Sequence, residues 1–277
     1  MLKDILVHVD GDKPAERRVE AAAVLAEAAE GHLIGLHVTS AVGELPWVEG
    51  YASEMMVRYA TERAEAERDR ARTLFERLTA GRAFGREWRE TVGLADRTVT
   101  LHGRYADLIV LGQSDPAAAP FGASPGVAEH VPLSAGRPCL ILPYAGHFPT
   151  LGRRVLVAWD GGREAARAVA DALPLLRRAQ QVTIVTIGDR VQGGGAADQS
   201  AAALAAHLAR HGMAVTVRND GGGTIAVPDL LLSLAADLST DLLVMGAYGH
   251  NRLRELIMGG VTRAILDHMT LPVLMSH

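Results

Sequence analysis

The chain has 277 residues, 48% of them apolar and 22% charged, with a formal net charge of −4. That is the composition of a globular chain with ample core material, and it excludes a disordered or low-complexity one. A slightly acidic balance without a Lys/Arg cluster interleaved with aromatics removes nucleic acid from the expected partners, and no uninterrupted apolar run approaches the ~20 residues of a membrane helix.

The first element is the strand-like run Lys3-Asp4-Ile5-Leu6-Val7-His8-Val9-Asp10-Gly11. A charged pair beside a short strand is no signal peptide, so the expected location is the cytoplasm. An alanine-rich run from Ala15 to Ala29 then has the apolar spacing of a helix that covers a sheet. Leu33 to Val38 reads as a second strand, and Val48 to Ala80 is dominated by Ala, Glu and Arg, as a long helix would be. Ala106 to Gly112 is a strand, and so is Arg137-Pro138-Cys139-Leu140-Ile141-Leu142. The single cysteine, Cys139, sits in that apolar run; without a second one it forms no intrachain disulfide, and a buried thiol is usually inert. Tyr144 to Gly152, punctuated by Gly146, Pro149 and Gly152, is a short join between two strands.

The same series then begins again. Arg153 to Gly161 ends, like the first strand, in Asp-Gly, and Glu164 to Ala179 is its helix. Val182 to Ile187 is the next strand, Ala196 to Arg210 a helix, Ala214 to Arg218 a short strand, Asp220 to Thr224 a loop and Ala226 to Leu238 a helix. Thr240 to Gly246 matches Ala106 to Gly112, and Leu271 to Met275 matches Arg137 to Leu142. From Gly112/Gly246 to Pro138/Pro272 the copies keep one offset of 134 (246 − 112 and 272 − 138), whereas Asp10 and Asp160 are offset by 150 (160 − 10). The first copy therefore carries about sixteen more residues in its middle. Two β-α-β-α-β-α-β-α-β copies, with right-handed crossovers, make two open, parallel, doubly wound α/β sheets, with domains over residues 1–146 and 147–277.

The most informative stretch is the last. Asp241-Leu242-Leu243-Val244-Met245 is a buried strand closed by Gly246, and Gly246, Gly249, Gly259 and Gly260 follow within one loop, the last two where a helix should begin. Backbone N–H groups converging at such a helix start attract a phosphate. The spacing of Gly246, Gly249 and Gly259, followed by a small residue, resembles the nucleotide loop of the universal stress protein family. The resemblance, of the tandem type, covers both copies. It implies strand order 3-2-1-4-5 and an adenine nucleotide, ATP or AMP with or without Mg²⁺, at the switch between strands 1 and 4. It departs at Gly260, where nucleotide-binding members carry Ser or Thr. That removes a hydroxyl ligand and leaves the N–H.

The resemblance further implies a role for Asp160 on the adenosine part of the ligand, beside Ala158 in the same strand end, and for the backbone of Ile187 at the adenine edge. Gly246, Gly249, Gly259 and Gly260, with Val261 and Thr262, would surround ribose and phosphates, and Arg252 could pair with a phosphate; Arg254 lies near it. The bland readings stand beside these: four glycines can serve only tight turning, Asp160-Gly161 can be a turn or helix cap, and loop arginines can be solvated. In the first copy Gly112 matches Gly246, but Asp115 replaces Gly249, Pro125 replaces Gly259, and Gly126 matches Gly260, while Pro116-Ala117-Ala118-Ala119-Pro120 replaces the rest of the loop. Proline offers no N–H, and aspartate would repel a phosphate, so at most one competent site is expected, in the second copy.

His207 and His211 lie one helical turn apart, but two histidines without nearby carboxylates or thiols make a weak metal site, and no metal is expected. There is no Gly-x-Ser-x-Gly pattern. The leading expectation is a non-catalytic stress-response regulator that binds an adenine nucleotide. The alternative is an interaction module of the same fold without nucleotide, and slow ATP hydrolysis is a weaker third. An open sheet leaves edge strands that can pair, which adds a homodimer to the expected partners beside an unnamed protein.

Overall fold

The computed structural model describes residues 2–11, 14–40, 54–115, 126–188, 196–221, 223–249 and 260–277. They fall into two compact units, Met1–Arg137 and Pro138–His277. The first contains β1 (Asp4–His8), α1 (Ala15–Ala28), β2 (His32–Thr39), α2 (Glu54–Thr79), β3 (Gly85–Val92), α3 (Ala95–Gly103), β4 (Leu108–Gly112) and α4 (Val127–Ser134). The second contains β5 (Cys139–Leu142), β6 (Arg154–Ala158), α5 (Arg163–Leu176), β7 (Gln181–Ile187), α6 (Ala196–Arg210), β8 (Val215–Asp220), α7 (Val227–Asp237), β9 (Leu242–Gly246), α8 (Gly260–His268) and β10 (Val273–Ser276).

The short apolar runs become parallel strands because both of their faces are covered. Ile5, Leu6, Ile109, Leu111 and Leu156 are fully buried. In the first unit β1 lies between β2 and β4, with β3 beyond β2, all parallel. In the second β6 lies between β7 and β9, with β8 beyond β7 and β10 beyond β9, again all parallel. The strands of the first sequence repeat follow the order β3-β2-β1-β4-β5 and those of the second β8-β7-β6-β9-β10. The predicted 3-2-1-4-5 order is thus present in each. Within the second unit β5 runs antiparallel to β10, with Ile141 opposite Val273 and Cys139 opposite Met275. Cys139 is buried there, and burial pushes its thiol far above the usual range.

Helix α5 buries Ala165, Ala168, Val169, Ala172 and Leu176, a stripe at helical spacing that sets it on the sheet. Helix α1 buries the corresponding Ala15, Val19, Ala22 and Ala26, but carries Arg18 where α5 has Ala168. The predicted excess in the middle of the first repeat appears largely as helix length, since α2 has 26 residues and α6 has 15. Strand β8 extends to Asp220, two residues past the predicted end, because pairing with β7 continues as far as Ile187 and the Gly188 N–H donates to the Asp220 carbonyl at 3.1 Å. Among the described residues no helix is long and apolar enough to cross a membrane.

Candidate functional site

Open parallel sheets present their ligand crevice at the carboxyl ends of the strands, where the order reverses. In the second unit that place lies between β6 and β9. After β6 the chain passes through Trp159 to Asp160, an exposed residue whose Oδ1 accepts the Gly162 N–H at 2.8 Å. With Gly161 at φ 76°, this local bond turns the chain into α5 and serves one of the N–H groups that a helix start leaves open. The turn reading of Asp160-Gly161 is therefore realised, while Asp160 Oδ2 faces the opposite loop.

That loop follows β9. A Cβ on Gly246 would lie 2.6 Å from the Ala165 nitrogen and 2.7 Å from the Glu164 carbonyl carbon, so the end of β9 runs directly against the first turn of α5. At Gly249 a Cβ would lie 3.3 Å from Glu164 Oε2 and 3.7 Å from Asp160 Oδ2. The intervening Tyr248 has φ 58° and donates its N–H to Thr262 Oγ1 at 3.0 Å. Thr262 is buried in the first turn of α8, whereas Val261 and Gly260 are exposed there. The chain thus brings Asp160, Gly246 and Gly249 together, and joins them to the start of α8 through the Tyr248–Thr262 bond. Among the described residues a Cβ on Gly260 would meet nothing within 4 Å, so none of them demands glycine there.

Ala158 is half-buried at the end of β6, opposite Val185, and Ile187 is half-buried at the end of β7. Between them the Trp159 N–H donates to the Val185 carbonyl at 2.9 Å, and its indole Nε1 donates to Ser200 on α6 at 3.0 Å. Arg252, Arg254 and Gly259 lie outside the described residues. His207 and His211 are ring neighbours at 4.8 Å. The Arg177 guanidinium lies 3.2 Å from His211 Nδ1, which engages the lone pair that a metal would need. Among the described residues no group of three or more His, Cys, Asp or Glu is placed to hold a metal ion.

Sequence reasoning missed Glu164. It stands four residues after Asp160, in the first turn of α5. The Arg163 guanidinium, 2.5 Å away, holds the Glu164 carboxyl below the usual carboxylate range, with help from its own backbone N–H and from His277. Its charge also suits the start of α5, where the helix dipole favours an anion.

Arg18 was missed as well. It sits at the position of Ala168 (168 − 150 = 18), is 3% exposed, and pairs its guanidinium with Asp10, the counterpart of Asp160. A Cβ on Gly112, the counterpart of Gly246, would collide with Arg18 Nη1. In the first unit the switch between strands 1 and 4 is therefore filled by a side chain of the protein itself, and the carboxylate there is engaged. Asp115 is half-buried beyond β4, Gly126 precedes α4 at φ 100°, and Pro116 to Pro120 and Pro125 lie outside the described residues. A charged residue on an otherwise apolar helix stripe was the available signal.

His8, where the second repeat has Ala158, is buried beside this pair. Burial pushes its pKa down to about 4, with Arg18 and His37 acting in the same direction and Asp10 opposing. An unfolded histidine titrates near 6.5, so between pH 6.5 and 4 the unfolded chain takes up a proton that the folded chain refuses. Stability contributed by neutral His8 should be complete above that window and fall as the pH drops through it. Denaturant midpoints measured from pH 7.5 to 4.5 should show a shallower loss in a His8→Ala variant than in the parent. Equal slopes would mean that the folded site accepts the proton.

The family model described as the universal stress protein family matches residues 1–143 and again 152–277. A universal stress protein of Synechocystis, Slr1230, is 26% identical over 307 aligned positions that cover 99% of each chain. Among solved structures, a universal stress protein from Archaeoglobus fulgidus superposes with a TM-score of 0.73 at 17% identity, covering 99% of this chain and 95% of its own. PA1789 from Pseudomonas aeruginosa, described as functionally unknown, superposes with a TM-score of 0.63 at 16% identity, covering 99% and 92%. At such identities the structural likeness is one of fold.

Proposed function

Because this chain belongs to the universal stress protein family, we propose that its second repeat binds an adenine nucleotide, ATP or AMP, and that the protein acts in the cytoplasm as a stress-response regulator. The observation that carries this reading is the convergence of Asp160, Gly249 and, through the Tyr248–Thr262 bond of 3.0 Å, the first turn of α8. A carboxylate that can accept from ribose hydroxyls then stands near amides that can hold phosphate oxygens. A thermal-shift titration with AMP and with ATP, with and without Mg²⁺, tests it. Millimolar nucleotide should raise the unfolding temperature by mass action, and no shift with any of them would end the proposal.

The glycine at 260 gives a sharper test. It is exposed, lies at the start of α8, and meets none of the described residues where a side chain would go. Gly260→Ser should therefore fold as the parent does and add a hydroxyl donor beside the phosphate. A hydrogen bond to a charged group contributes ~1.5 kcal/mol or more, which corresponds to about tenfold tighter binding. Unchanged affinity by calorimetry would place the phosphates elsewhere.

The action proposed is binding rather than turnover, so phosphate release from ATP should not exceed background. The competing reading, an interaction module of this fold without nucleotide, draws on the carboxylate of Glu164 beside Gly249. It predicts no stabilisation by any adenine nucleotide in the parent chain or in Gly260→Ser.

A further inference from the structure

We infer that Glu164 sets which adenine ligand the second repeat accepts, favouring a ligand with little or no phosphate, adenosine or AMP, over free ATP. The inference rests on the reading above and deepens it. Its basis is the placement of Glu164 Oε2 at 3.3 Å and Asp160 Oδ2 at 3.7 Å from the position of a Cβ on Gly249. Two carboxylates face one loop residue. Glu164 is ionised at neutral pH, since the Arg163 guanidinium beside it holds its pKa down.

The amides that would hold phosphates belong to the first turn of α8, and Tyr248, the neighbour of Gly249, bonds Thr262 in that turn at 3.0 Å. A phosphate chain that runs past Gly249 to reach that turn comes inside the screening length of both carboxylates, about 8 Å at physiological ionic strength, since they stand 3.3 and 3.7 Å from the Cβ position of that residue. Ribose hydroxyls gain from the same carboxylates by donating hydrogen bonds to them, while each added phosphate increases the repulsion. Arg163 does not reverse this balance. It pairs with Glu164 Oε1 at 2.5 Å, one positive charge against the two carboxylates that face Gly249. A divalent cation carried in with ATP would offset the repulsion.

Isothermal titration of the full chain with adenosine, AMP, ATP in EDTA, and ATP with Mg²⁺ tests the inference, in parent and Glu164→Gln protein. The substitution keeps the side-chain shape and removes the charge. In the parent, AMP should bind at least about tenfold more tightly than ATP in EDTA. Glu164→Gln should cut that ratio about fivefold or more, and Mg²⁺ should narrow it in the parent. The ratio should also shrink as NaCl is raised, which a steric cause would not produce. If the ligands bind and Glu164→Gln leaves the AMP-to-ATP ratio unchanged, the inference is overturned and the site stands. If neither protein binds any of the four ligands, the nucleotide reading fails and takes the inference with it.

Discussion

Replacing Arg18 by alanine should destabilise the protein by about 3 kcal/mol or more, because it leaves a largely buried carboxylate without its cation. Arg18 is 3% exposed and the Asp10 side chain 19%, so water cannot fully replace the guanidinium. Gly112 adds to the cost, since the space that its missing Cβ concedes to Arg18 would become a void against the end of β4. For a chain of this size the unfolding temperature should fall by on the order of 10 °C. The charge argument can be separated from the packing argument with a second variant. Arg18→Met combined with Asp10→Asn removes both charges while keeping most of the volume, and it should recover most of the loss. A single substitution costing under ~1 kcal/mol by denaturant unfolding would mean that Asp10 is served by solvent. A double variant as unstable as Arg18→Ala would mean that packing, not charge, holds this corner.

In the second unit the largest effect should come from Gly246→Val. The new Cβ would meet the Ala165 nitrogen at 2.6 Å and the Glu164 carbonyl carbon at 2.7 Å. Both are backbone atoms in the first turn of α5, so no side-chain rotation relieves the clash, and α5 must move away from β9. Overpacking of this kind costs about 1–3 kcal/mol. The displacement also carries Asp160 and Glu164 away from Gly249, so adenine-nucleotide binding should be lost beyond what the stability change explains. The contrast with Gly260 is the control: these two glycines bound the same loop, yet a Cβ on one meets helix backbone and on the other meets none of the described residues within 4 Å. Gly246→Val protein that binds with parental affinity at a temperature where it is folded would show that the crevice between β6 and β9 is not the site.

Most of the architecture was legible in the residues. The matching runs at offsets of 134 and 150, the apolar strands closed by Asp-Gly or Gly, and the alanine-rich helices correspond to the two observed 3-2-1-4-5 repeats. They were readable because strand and helix periodicities are local properties, and because a duplication presents each pattern twice. Gly246, Gly249 and Asp160 were visible for the same reason, as glycines and a carboxylate at strand ends. The partners they meet were not visible. Glu164 faces Gly249 from 85 residues away in the chain (249 − 164), and Arg18 reaches the end of β4 from a helix whose pattern shows a charge on the apolar stripe without showing what it meets.

Composition and periodicity alone therefore determined a doubled α/β chain with a glycine-rich turn after its second fourth strand. Only the tertiary structure decided that the first switch point is closed by the Arg18–Asp10 pair and that the second faces two carboxylates. The physical reason is that a side chain's charge acts across space, through whatever the fold sets opposite it, while spacing along the chain records only which face of its own element it occupies.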